Sequence, residues 1–353
     1  MFGLKNMKIA LLSRWNTSCG VSLHAELIGR EWIKMGHDLI VFAPNNIRPV
    51  GKDENFVIRC YSDEGNRTRT FFHPEPFLEN DYDVFVAQRL EWCPIEHLYN
   101  IFHEIKGKAK AVYVVHERKP PTNPIFYKFE WDAVVCFDDR YVNQWSKIEK
   151  FKGKIHKIPY PTGPLKVEDK QKARSKLMLD LEDKIVFSYG WAPELHVIPI
   201  LPALKDVSKI VDFKYIVLVD PDCKVNFPEL DFIEVYHKRA TMDEIYSYLH
   251  ASDACILHKE KHEVRKGEAV VSSSVLMCLG SLTPILTSDT EFVSFLKGEV
   301  IKYKDLNDLK RKLIGILKRE IDVNKVRAAA KKYVMRNSPK VIAKRFIELF
   351  NSI

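Results

Sequence analysis

ACILHKE (254–260), KHEVRKGEAVVSSSVLMCLGSLTP (261–284) and ILTSD (285–289) form one continuous stretch, and its pattern sets the fold class. A short apolar run, Ala254 to Leu257, predicts a strand. It empties into a loop of both charges, Lys259 to Glu268. An apolar helix is expected next, ending near Gly280, and then a second strand from Pro284 to Thr287. A strand that opens into a polar loop at a helix start is a natural anion site, because unpaired N–H groups and the helix dipole favour phosphate there. Lys259, Lys261, Arg265 and Lys266 add cations, while Glu260, Glu263 and Glu268 add acceptors for sugar or ribose hydroxyls. Both chemistries in one loop suit a nucleotide-sugar better than a bare phosphate. The competing reading of the same residues is a solvated, charged βα loop.

Outward from this stretch, the same alternation recurs. KIALLS (8–13) is a near-continuous apolar run, as a parallel strand covered on both faces requires. The loop RWNTSCG follows, then a helix over Val21–Met35 that stops at Gly36, then a strand in HDLIVFAP. Further strands are expected at 56–61, 82–87, 111–116, 133–137 and 154–159, with a helix at 95–105. IPYPTGP (158–164) can continue neither a helix nor a central strand, and it marks a linker. Beyond it come a helix at 170–179, strands at 185–189, 215–219 and 232–236, and a helix at 242–250. After Asp289 a strand at 300–304 and helices at 306–317, 324–335 and 339–351 complete the pattern. The fold class predicted is α/β, with two doubly wound Rossmann-like domains facing each other across a cleft. Residues 1–160 are expected to form the N-terminal domain and 161–338 the C-terminal domain. Residues 339–353 form a last helix expected to pack back on the first domain.

The chain has 353 residues, 46% hydrophobic and 29% charged, which fits a globular protein of about two domains. No apolar run approaches the ~20 residues of a membrane span, and the opening residues carry no cleavable signal pattern, so a cytoplasmic protein is expected. The seven cysteines are scattered, without a CxxC pair, which argues against a zinc site or a disulfide framework. The net charge of +8 suits a polyanionic ligand or an anionic membrane surface. Basic and aromatic residues interleave from Arg140 to Lys157, as they would in a peripheral contact with the inner face of a membrane. A charged surface helix and turn is the commoner explanation of such a stretch. No nucleic-acid reading motif is present. Asp220-Pro221-Asp222 has the D-x-D spacing of a metal site, but it is also ordinary turn chemistry, and no metal is expected.

Taken together, the residues from Lys8 to Pro44 resemble the opening of GT-B glycosyltransferases of the retaining family 4 type. The matching pieces are Gly20-Val21-Ser22, His24 and Gly36-His37. VYVVHE resembles that family's strand ending in a histidine, and KGEAVVSSSVLMCLGSLTPILTSD its donor-site loop, helix and strand. The resemblance implies transfer of a hexose from a UDP- or GDP-sugar to a carbohydrate or lipid-linked acceptor hydroxyl. It implies retention of anomeric configuration, with no metal and no cofactor beyond the donor itself. It assigns His116 to the donor sugar and Glu268 and Glu260 to catalysis, with Glu268 as the principal acid. Donor contacts fall on Gly20, Val21, Ser22, Gly190, Trp191, Arg265, Lys266, Gly267, Ser272 and Ser273.

Two departures stand out. Glu260 and Glu268 have the family's seven intervening residues, yet Glu268 lies far from Gly280 and Pro284. The basic pair usual after the glycine of the donor loop is missing, since Trp191, Ala192, Pro193 and Glu194 follow Gly190. Arg265 and Lys266 are the expected substitutes. The alternative reading is a nucleotide-sugar-binding or regulatory protein on the same fold, without transfer. Oligomeric state has no signature in the sequence.

Overall fold

The structure is a computed structural model that describes residues 6–64, 70–190, 192–264 and 268–353; the side chain of Lys261 is outside that description. Four residues named above, Trp191, Arg265, Lys266 and Gly267, therefore lie outside the described residues. Contacts divide the chain into two compact units. The first is Met1–Pro161 with Gly267–Val270 and Pro339–Ile353; the second is Thr162–Lys266 with Val271–Ser338.

In the first unit the elements are β1 (Lys8–Leu12), α1 (Gly20–Lys34), β2 (Asp38–Pro44), β3 (Val57–Tyr61), α2 (Glu75–Glu79), β4 (Val84–Gln88), α3 (Ile95–Lys108), β5 (Lys110–Val114), β6 (Ala133–Cys136), α4 (Asp139–Trp145) and β7 (Ile155–Lys157). The seven strands are all parallel, in the order β3-β2-β1-β4-β5-β6-β7. Burial explains the apolar runs: Ile9 to Leu12 of β1 and every residue of β4 are shielded on both faces. In α1 the buried residues Val21, Ala25, Ile28 and Trp32 recur at helical spacing and form one stripe. Gly36, at φ +89, turns the chain out of that helix in the left-handed conformation glycine adopts without a Cβ penalty. The aromatics of the Arg140–Lys157 stretch, Tyr141, Trp145 and Phe151, are core residues. That stretch thus presents no aromatic wedge to a membrane.

The second unit contains α5 (Lys170–Lys176), β8 (Ile185–Gly190), α6 (Pro193–His196), α7 (Leu201–Ser208), β9 (Lys214–Val219), β10 (Ile233–His237), α8 (Met242–Ala251), β11 (Ala254–Leu257), α9 (Ser273–Leu279), β12 (Ile285–Ser288), β13 (Ile301–Tyr303), α10 (Leu306–Leu317) and α11 (Val323–Arg336). Its six parallel strands run β10-β9-β8-β11-β12-β13, the doubly wound order that reverses between the first and fourth strands. Val186, Val217, Ile256, Leu286, Leu204 and Leu313 share one core, each contributing about 1.5–3 kcal/mol by burial. The proline-rich linker is clamped onto α9 within this unit. Gly163 N–H donates to Leu276 O at 3.1 Å, and the Tyr246 hydroxyl lies 2.9 Å from Pro164 O and 3.0 Å from Met277 O.

The last helix, α12 (Pro339–Ser352), belongs to the first unit. Trp32 is fully buried there, 5.8 Å from Phe346 and 5.6 Å from Phe350, and its indole N–H donates to Ala343 O at 3.2 Å. Aromatic pairs of this kind add about 0.5–1.5 kcal/mol beyond the area they bury. Among the described residues no helix is long and apolar enough to cross a membrane.

The opening stretch differs from expectation in one respect. The helix does not start near Glu268 but at Ser273, with Ser272 as its cap. Ala269 and Val270 are committed to backbone bonds in the first unit, so they cannot enter a helix with the serines that follow.

Candidate active site

In a doubly wound sheet, ligands bind beyond the strand C-termini where the strand order reverses. Here that point lies between β1 and β4 in the first unit and between β8 and β11 in the second.

In the first unit, the loop after β1 leads into the α1 N-terminus with Gly20, Val21 and Ser22. Ser22 is fully buried and its hydroxyl is occupied: it accepts from Thr17 N–H at 3.0 Å and donates to Glu26 Oε1 at 2.8 Å. Its role here is to shape the loop. Gly20 O accepts from the Tyr160 hydroxyl at 2.6 Å. One turn further, His24 is fully buried with its ring 5.1 Å from that of His116. Phe137 and Tyr160 complete the aromatic cluster around both rings. Among the described residues neither ring nitrogen of His24, nor His116 Nε2, meets a hydrogen-bond partner. Burial pushes the His24 pKa down to about 3, against a weak opposing pull from the Gln88 amide. Burial also drives His116 well below its ordinary value, helped by His24 and the Arg89 charge. His116 is a neutral imidazole at physiological pH.

Glu117, beside it, went unnoticed in the sequence. It is buried and accepts from the backbone N–H groups of His116 at 3.1 Å and Glu91 at 3.4 Å. Burial pushes its pKa up, with Arg89 opposing. No sequence signal distinguishes it from any other loop glutamate.

Glu268 is half-buried and joins this same unit. Ala269 N–H donates to Arg118 O at 3.1 Å, and Arg140 Nη2 donates to Val270 O at 2.8 Å. The segment carrying Glu268 is thereby pinned to the loop that carries His116. Two predicted catalytic residues, remote in sequence, share one unit.

In the second unit, Glu260 follows β11. It accepts from His258 Nε2 at 3.0 Å, and its N–H donates to Glu263 Oε1 at 2.8 Å in a reciprocal cap. His258 Nδ1 meets the Tyr303 hydroxyl at 2.6 Å. Lys259 is held through its backbone, which donates to Ser288 Oγ at 2.8 Å and accepts from it at 2.6 Å. Its ammonium lies 3.2 Å from His196 Nε2. Burial first, and Lys259 and His258 next, push the His196 pKa down to about 3, so the ring is neutral and accepts from the lysine. His196 ends the short helix α6, just after Gly190, and therefore comes from the loop of the neighbouring strand. Loop residues of both strands at the reversal point meet in this pair, which sequence reading had not joined. Ser272 Oγ caps α9 by accepting from Val275 N–H at 3.4 Å and lies 3.1 Å from Ser274 Oγ. Ser273 is the first residue of that helix.

Asp220 and Asp222 both face Arg239, with Asp220 Oδ2 3.0 Å from its Nε and Asp222 Oδ2 2.6 Å from its Nη2. The D-x-D turn is an arginine-braced turn. Among the described residues no group of three His, Cys, Asp or Glu side chains is arranged to hold a metal ion.

Two doubly wound parallel units, each with polar loops at its reversal point, define the class: a doubly wound α/β architecture in duplicate. Solved structures place it more narrowly, in the GT-B fold of glycosyltransferases. A glycosyltransferase from Rickettsia africae superposes with a TM-score of 0.69 at 14% identity, covering 99% of this chain and 98% of that one. HepE of Anabaena, solved with UDP-glucose, gives 0.69 at 13% identity over 99% of this chain and 100% of its own. Sucrose-phosphate synthase of Thermosynechococcus elongatus gives 0.67 at 14% identity over 98% and 99%. No family model matches the sequence.

Proposed function

We propose that this protein is a glycosyltransferase that moves a hexose from a UDP- or GDP-sugar to an acceptor hydroxyl, with retention of configuration and without a metal. The second unit is the donor unit in this reading, and the first carries the acceptor side. The observation that carries it is the meeting of Lys259 with His196 at the reversal point of the second sheet. It puts a cation where the loop after Gly190 has none of its own, in a fold whose similar structures include one solved with UDP-glucose.

In this mechanism the Lys259 ammonium, with the N-terminal end of α9, stabilises the charge that develops on the leaving diphosphate. A preorganised donor at such a point contributes about 2.7–4 kcal/mol to transition-state stabilisation. Arg265 and Lys266 add charge from the same loop. Glu260, fixed by His258 and its cap, orients donor hydroxyls. Glu268 orients the transferring sugar, and neutral His116 offers a hydrogen bond without adding repulsive charge. The leaving phosphate takes the acceptor proton on the same face of the sugar, which retains the configuration.

The alternative is donor binding without transfer, favoured by the lack of a basic pair after Gly190. The test is nucleoside diphosphate release from UDP-, GDP- and ADP-sugars across a panel of sugar and lipid-linked acceptors. Acceptor-dependent release, with product anomers assigned by NMR, supports transfer. Donor binding with no release over the whole panel supports the alternative.

A further inference from the structure

The first unit has its own reversal point, and its chemistry differs from that of the second. Leu12 of β1 pairs with Ala87 of β4, and Ser13 Oγ lies 3.3 Å from Gln88 Oε1. The next residues along both strands are arginines, Arg14 and Arg89. Their guanidinium groups both lie on the Trp92 ring, at 4.3 Å and 3.3 Å from its centroid. These three side chains, with Tyr61, Asp63 and Gln88, line a recess open to solvent.

The two arginines are not equivalent. Arg14 is partnered: its Nε donates to the buried Asp63 carboxylate at 2.8 Å. Arg89 is held only loosely: its Nη2 lies 3.9 Å from Glu91 Oε2, and its buried Nε meets no hydrogen-bond acceptor among the described residues. Its backbone is also held at φ +53, in the left-handed region that an arginine rarely adopts. A guanidinium set on a strained backbone, stacked on indole and held this loosely is a poor structural device. It is a good receptor for an oxyanion, which a planar fork of donors can grip on two edges. The nearby buried Glu117 accepts from the N–H groups of His116 and Glu91 and acts on Arg89 through its charge.

We propose that this recess binds the anionic end of the acceptor, so that the acceptor is a small sugar carrying a phosphate ester or a carboxylate. Arg89 grips the oxyanion, Arg14 adds the second cation, and Trp92 fixes the planes of both. Gln88, which lines the same recess, donates to the same ligand. Calling the ligand an acceptor rests on the glycosyltransferase reading; the oxyanion site itself does not.

The test is calorimetric titration of the full-length protein with glucose 6-phosphate, glucuronate, inorganic phosphate and glucose, on wild type and Arg89→Gln. UDP-glucose is titrated into the same samples. The expected result is binding of glucose 6-phosphate or glucuronate but not glucose, weakened at least about 10-fold in Arg89→Gln, the effect of one lost charged hydrogen bond. Whichever of the two anions binds tighter names the acceptor group. UDP-glucose binding stays unchanged in the variant. Equal binding of glucose and its phosphate, equal binding by wild type and variant, or no binding by any of the anions overturns the proposal. The wild-type comparison of glucose with its phosphate stands even if the variant fails to fold. Anion binding that depends on Arg89, with no response to any nucleotide-sugar, keeps the oxyanion site and refutes the transferase reading.

Discussion

The backbone N–H of Ala269 donates to the carbonyl of Arg118 at 3.1 Å. That single bond ties the segment holding Glu268 to the loop holding His116, and it makes the stretch part of the first unit while Val271 belongs to the second. The charged loop is therefore divided: Glu260 stands with the second unit, and Glu268 with the first.

The imidazole pair makes the fold acid-sensitive. His24 has its pKa depressed to about 3 in the folded state, against an ordinary 6.5. The unfolded chain thus binds a proton that the folded chain refuses. The stabilisation is complete above pH 6.5 and declines as pH falls toward the folded value, by ~1.4 kcal/mol per pH unit. His116 and His196 act in the same direction. Urea denaturation at pH 7 and pH 5 should show His24→Phe losing less stability on acidification than wild type. Identical losses would remove His24 from the account.

Gly280 is required by close approach. A Cβ at Gly280 would collide with the Tyr246 hydroxyl and with the carbonyls of Pro164 and Gly163. Two of those atoms are backbone and cannot swing aside. Gly280→Ala is expected to destabilise by ~1–3 kcal/mol, the range for overpacking a filled site. An unchanged denaturation midpoint would show that the linker is not clamped to α9.

Arg89 illustrates a site maintained against stability. Arg89→Gly removes the left-handed strain, ~1–2 kcal/mol, and the desolvation of a cation whose buried Nε has no hydrogen-bond acceptor among the described residues. It forfeits ~0.5–1 kcal/mol of cation–π contact and some unfolded-state restriction. The variant should be no less stable than wild type while losing oxyanion binding, a separation that thermal melts and titration together would reveal. A large drop in Tm would mean that Arg89 is structural.

Asp220 and Asp222 are committed to Arg239, so chelation should leave turnover untouched. Equal rates in EDTA and in added magnesium are the expected outcome. A rate that vanishes in EDTA would return attention to the D-x-D turn.

The alternation of apolar runs and helices was legible because parallel strands buried on both faces, such as β1 and β4, leave an uninterrupted signature. The linker declared itself through its prolines. The candidate loop was legible where one element carries it, as with the charged run that follows β11. It was not legible where distant elements converge. Arg14 follows β1, whereas Arg89 and Trp92 share the loop after β4, and no local pattern joins them until strand pairing brings β1 beside β4. Glu268 was misplaced at a helix start because apolar and serine residues continue past it. The competing bonds from Arg118 and Arg140 come from remote sequence.

The most direct test of sugar transfer is UDP release from UDP-glucose, with glucose 6-phosphate and glucuronate as acceptors and EDTA present, in wild type and Glu268→Gln. The account predicts acceptor-dependent release in wild type and a loss of at least ~100-fold in the variant, the scale of removing one positioned transition-state partner. Equal release by both proteins, or none from any nucleotide-sugar that binds, would contradict it.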